Sequence, residues 1–123
     1  MVESQIFKEE IRKIVSQDYK LEFLGDDFDK IASFVSESRA KSIYSWIQRV
    51  LIKEIQPITI GSKRQYKDWK INDLMTFRYP FQIGNTEYRI LFVKVKNQVY
   101  IEFHLGDHNY YDKIRKDLGI KKN

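Results

Sequence analysis

The sequence predicts an α+β domain, with N-terminal helices packed on a mainly antiparallel β-sheet and a short C-terminal helix. Three observations carry that expectation. Apolar residues recur at helical spacing through the first half, they fall in strand-like runs between residues 74 and 105, and turn-forming residues punctuate those runs.

Residues 4–17 read as an additional N-terminal helix: Phe7, Ile11, Ile14 and Val15 line one side among charged residues, and Ser4 is placed to cap it. Residues 20–24 alternate with period two before Gly25, which suits a short strand and a turn. The Asp26-Asp27 pair suits a helix N-terminus ahead of Phe28, Ile31, Ala32 and Val35, and residues 36–38 interrupt that helix. Over residues 39–55 the stripe of Ile43, Trp46, Ile47, Val50, Leu51 and Ile55 predicts the clearest helix, which Pro57 ends. Residues 59–72 turn polar and basic around Tyr66 and Trp69 and read as a loop or irregular edge. Strands follow at 74–79, 87–95 and 99–105, with a break over 80–86 and a tight turn at Lys96-Asn97-Gln98, and antiparallel neighbours are the economical arrangement. A final helix over 110–118 is closed by Gly119.

A chain of 123 residues with 42% hydrophobic residues fits one domain, residues 1–123, with a core of its own. It has no cysteine, which excludes disulfides, thiolate metal sites and a cysteine nucleophile and leaves a reducing cytoplasm as the default compartment. The charged N-terminus and the lack of any apolar run near about 18 residues argue against secretion and a membrane partner. Two histidines among scattered carboxylates give no metal-ligand spacing, so neither a metal nor another cofactor is expected. The net charge of +5 is uneven: residues 1–58 carry 9 Lys/Arg and 10 Asp/Glu, and residues 59–123 carry 13 and 7. Positive charge gathered in one half suits a polyanion, because lysine and arginine displace counterions from phosphates; the plainer reading is a solvated basic surface.

Alternation along the last strand puts Val99, Ile101, Phe103 and Leu105 on a core face and Tyr100, Glu102 and His104 on the other. A two-residue hairpin turn pairs odd positions with even ones, so Tyr88, Ile90 and Phe92 join the core face. Arg89, Leu91 and Val93 then stand beside Tyr100, Glu102 and His104 on an open surface, where an arginine and an imidazole suit a phosphate. The plainer reading is an amphipathic sheet whose outer side is polar or is covered by the first helix. Trp69 and Tyr66 among lysines have the stacking-plus-charge pattern of single-stranded RNA binders, and Trp69 equally suits packing of the loop on the sheet.

The stretches Leu74-Met75-Thr76-Phe77-Arg78-Tyr79, Glu87-Tyr88-Arg89-Ile90-Leu91-Phe92 and Val99-Tyr100-Ile101-Glu102-Phe103-His104-Leu105-Gly106-Asp107-His108 together resemble the final β-meander of RelE/ParE/HigB-like toxins. The order of elements over about residues 20–118 agrees with that family, which packs two helices against an antiparallel sheet. The resemblance implies a RelE-like fold and a metal-independent mRNA interferase, acting on or off the ribosome and neutralised by an antitoxin protein. Carried over by position, it implies Arg89 as the clamp on the scissile phosphate, His108 as the strand-end basic group and Tyr111 or Tyr110 as the C-terminal tyrosine. Lys63, Arg64, Lys67 and Lys70 take the place of the RNA-gripping loop, with Trp69 and Arg78 as further RNA contacts. The chain departs from the family where Gly106-Asp107-His108 replaces Gly-His-Arg, and in its N-terminal helix and the insertion at 80–86. A non-catalytic binding module of the same type, inhibiting a protein target, and a decayed toxin homologue are the alternatives.

Overall fold

A computed structural model describes residues 3–58, 65–70 and 73–120. The expected Lys63 and Arg64 contacts lie outside the described residues. The fold is α+β, with the order α1 (Ser4–Val15), β1 (Lys20–Leu24), α2 (Phe28–Ala32), α3 (Glu37–Leu51), β2 (Gln65–Tyr66), β3 (Trp69–Lys70), β4 (Leu74–Ile83), β5 (Thr86–Val95), β6 (Tyr100–Asp107) and α4 (His108–Leu118). Four strands form a mixed sheet in the order β1-β6-β5-β4, in which β4, β5 and β6 are an antiparallel meander and β1 joins β6 in parallel. The two short strands β2 and β3 make a separate hairpin. Among the described residues no helix is long and apolar enough to cross a membrane.

The helices form for the reasons their periodicity gives, with different ends. In α1, Phe7, Ile11 and Val15 are buried, and Glu3 rather than Ser4 occupies the N-cap; the Ser4 hydroxyl donates to Asp29 on α2 instead. Ser36 caps α3 by accepting from the Arg39 N–H, so this helix starts at Glu37, two residues before the expected 39, and ends at Leu51, four before the expected 55. The break expected over 80–86 is not one: β4 runs through Pro80 to Ile83 and turns at Gly84, whose φ is 59°. Pro80 is tolerated because β4 is an edge strand, with one neighbour to serve.

The register from Tyr88↔Asp107 to Lys94↔Ile101 joins even to odd positions, as a two-residue turn requires, and this sorts the sheet into two faces. Ile90, Phe92, Ile101, Phe103 and Leu105 meet α1, α2 and α3 in the larger core. Burying each such side chain contributes about 1.5–3 kcal/mol. Val99 is an exception to the expected core face: it precedes β6 and is 61% exposed, while its carbonyl accepts the Lys20 N–H that begins the β1 pairing. The other face is not open. Leu91, Val93 and Val95 form a second core with Tyr111 and Leu118 of α4, and Tyr66 and Trp69 of the small hairpin pack against it. The cover is a helix from the C-terminal end of the chain, which follows β6 directly and lies back across β5 and β6.

Candidate functional site

The cross-strand register sets Pro80, Arg89 and Gly106 in one row of the α4-covered face and Arg78, Leu91 and His104 in the next. Arg78 and Arg89 are therefore diagonal neighbours, a spacing of about 7–8 Å that long side chains bridge. Among the described residues only Arg89 of the two has a carboxylate, Glu87, at 3.0 Å from its Nε. The Arg89 guanidinium also lies 4.7 Å from the centre of the Tyr111 ring, which leaves 19% of its side chain exposed. His108 opens α4 one turn before Tyr111, is 51% exposed, and faces the Asp112 carboxylate at 3.2 Å. Asp107 caps the same helix by accepting the Tyr110 N–H at 2.9 Å.

Arg89, His108 and Tyr111 thus gather around the first turn of α4. What they present differs from one to the next. His108 and the outer edge of Arg89 reach solvent, whereas Tyr111 is buried and its hydroxyl has no hydrogen-bond partner among the described residues. Tyr111 offers its ring to Arg89. The other tyrosine, Tyr110, carries the hydrogen-bonding role, with its hydroxyl 2.8 Å from His104 Nδ1.

Beneath α4 and the hairpin, on a face that strand alternation alone leaves open, lies a buried polar network. Glu102, fully buried, takes contacts from His104 Nε2 at 2.8 Å, the Tyr66 hydroxyl at 2.9 Å, the Tyr100 hydroxyl at 2.7 Å and the Lys67 ammonium. A carboxylate accepts only, so His104 Nε2 donates to it, and Nδ1 shares a hydrogen bond with the Tyr110 hydroxyl. Burial is the largest single influence on Glu102 and pushes its pKa up, but hydrogen bonds from His104, Lys67 and Tyr100 together outweigh it and hold the pKa at about 2. Burial, then the nearby carboxylates, push the Tyr66 and Tyr110 hydroxyls up, and burial followed by the bond to Glu102 does so for Tyr100. Alternation along β6 places Tyr100, Glu102 and His104 together; that Tyr66 and Lys67 close over them depends on a hairpin some 35 residues away in sequence.

The basic-loop residues divide. Lys67 is spent on Glu102, Trp69 stacks on Tyr100 with ring centres 6.2 Å apart, and Lys70 is exposed. Arg78 stands apart from them on β4, beside Arg89. Among the described residues no three His, Asp or Glu side chains are grouped as metal ligands would be. Comparison with protein-family models, with curated proteins and with solved structures finds no match to this chain.

Proposed function

We propose that the chain is a RelE/ParE/HigB-like toxin domain that cleaves messenger RNA, on or off the ribosome, and is neutralised by an antitoxin protein. The observation that carries this reading is the placement of Arg78 and Arg89 as neighbours on one sheet face, next to the helix start that bears exposed His108. Two arginines rooted at diagonal positions of one face reach a common anion, and a phosphodiester is an anion whose geometry a guanidinium matches. The order of elements supports the same reading: α2 and α3 lie between β1 and the meander β4 to β6, which α4 closes.

In that chemistry the ribose 2′-hydroxyl attacks the adjacent phosphorus, the new O2′–P bond forms as the P–O5′ bond breaks, and the hydroxyl proton ends on the departing O5′. His108 is the exposed group that transfers protons, Arg89 and Arg78 stabilise the charge on the phosphate oxygens, and the Tyr111 ring holds Arg89 in place. Glu87 and Asp112 occupy Arg89 and His108 in the free protein, contacts that an RNA phosphate would displace.

That same occupation favours a second reading, a non-catalytic binding module that inhibits a protein target. Expression of the wild type and of the Arg89→Ala/His108→Ala double variant in cells, with mapping of messenger RNA 5′ ends, separates the two. The ribonuclease reading expects new ends with wild type and none with the double variant. Growth inhibition by both proteins without new ends would establish the binding module instead.

A further inference from the structure

We propose that the cleft between the β2–β3 hairpin and the start of β1 and β6 is a stacking site for an unpaired RNA base. It names a binding subsite for the RNA of the reading above and rests on that reading. The cleft is about 420 Å³ and is walled by Trp69 and Tyr100, whose rings are stacked within 24° of parallel. Lys20, Glu22 and Gln98 stand at its rim, as does exposed Val99.

Each part suits a base rather than a phosphate. Lys67 is committed to Glu102 and Lys20 lies 3.8 Å from Glu22, so the cleft has little net charge to hold an isolated anion. A π-face flanked by carboxylate and amide groups instead accepts a flat heterocycle and its N–H edge, and aromatic stacking on a base is worth about 1–3 kcal/mol. Lys20, whose side chain is 72% exposed, pairs with Glu22 at 3.8 Å and would exchange that partner for the backbone of a bound strand. The fold also fixes the spacing to the arginine pair. Tyr100 and Gly106, opposite Arg89, are six residues apart along β6, roughly 20 Å at the usual strand rise. A duplex, whose bases are already paired and stacked, offers the cleft no free base face.

The test is tryptophan fluorescence of the full chain, titrated with a single-stranded oligoribonucleotide and with the same sequence as a duplex. Trp46 is buried against Phe92, so a ligand-induced change reports on Trp69. Saturable quenching by the single strand is expected, with at least tenfold weaker response to the duplex. Trp69→Phe is expected to keep affinity within about threefold, read by anisotropy of a labelled oligonucleotide, and Trp69→Leu to lose about tenfold or more. Should Trp69→Leu unseat the hairpin, seen as a lowered Tm, Lys20→Glu gives the second reading, because that side chain is 72% exposed and its pairing with Glu22 is a surface one. It is expected to weaken binding several-fold. The absence of quenching in wild type, or unchanged affinity in both Trp69→Leu and Lys20→Glu, overturns the proposal. Arg89→Ala/His108→Ala distinguishes it from the cleavage reading, since that variant is expected to lose cleavage and keep the quenching.

Discussion

Glu102 is the residue on which the second face of the sheet turns. It stands mid-strand where neighbours on either side are apolar, and it is tolerated there because His104, Tyr66, Tyr100 and Lys67 converge on its two oxygens. A buried charge so satisfied stabilises only while every partner is present, and an amide in its place keeps one acceptor oxygen but sets an NH2 against the remaining donors. Glu102→Gln is therefore expected to cost on the order of 3 kcal/mol in urea unfolding. The pH dependence has a fixed sign. The folded pKa of about 2 lies below the ordinary 4.5, so the unfolded chain takes up the proton first. Stability from this group is complete above about 4.5 and drains away as pH falls toward 2. In Glu102→Gln the loss of stability over that window is expected to be shallower than in wild type; parallel slopes for the two proteins would show that other carboxylates set the acid limit.

At the scale of elements, the joins decide the arrangement more than the elements do. The turn from β1 into α2 brings Gly25 so near β6 that a Cβ there would overlap the Leu105 carbonyl oxygen, whereas a Cβ at Gly84, in the β4–β5 turn, would meet nothing. Both glycines have positive φ, but 59° at Gly84 is the left-handed region that other residues enter at modest cost, whereas 152° at Gly25 is open essentially to glycine alone, and the overlap is peculiar to Gly25. Gly84→Ala is expected to cost about 1 kcal/mol, the left-handed penalty alone, and Gly25→Ala clearly more, because β1 must separate from β6 to admit the methyl group. Denaturation midpoints of the two variants check this, and equal shifts would mean that β1 is held too loosely to feel the overlap. Gly106 repeats the logic at the other end of β6: a Cβ there would collide with the Tyr110 ring, so glycine lets α4 fold back at once and carry Tyr110 to His104.

For the molecule as a whole, what the sequence made legible was whatever short-range periodicity controls. The stripe in α3, the sorting of β5 and β6 into two faces and the left-handed Gly119 cap all follow from residues within a few positions of one another. Of the candidate site, alternation placed Arg89, Glu102 and His104 on one face, whereas His108 and Arg78 came with the family resemblance and the row that Arg78 shares with His104 depends on the β4–β5 register. Cover and register between distant segments were not legible. An amphipathic α4 must bury Tyr111 and Leu118 somewhere, but nothing local says that it lies on the Glu102 face, and nothing in residues 20–24 says that they pair in parallel with a strand some 80 residues later. The result is one sheet that serves two cores, since β5 and β6 contribute Ile90 and Phe103 to one side and Leu91 and Val93 to the other. Neither core can then be lost without exposing the back of the other, and unfolding is expected to be a single transition. Trp46 lies in the larger core and Trp69 on the opposite layer, so single-tryptophan proteins made with Trp69→Phe or Trp46→Phe report on each side separately. Leu118→Ala, which removes a fully buried side chain from the smaller core, is expected to cost about 2–5 kcal/mol and to move both reporters together. If the Trp69 signal shifted while the Trp46 signal stayed in place, α4 and the hairpin would be a separately melting layer, and the face that carries Arg78, Arg89 and His104 would open without the rest of the fold.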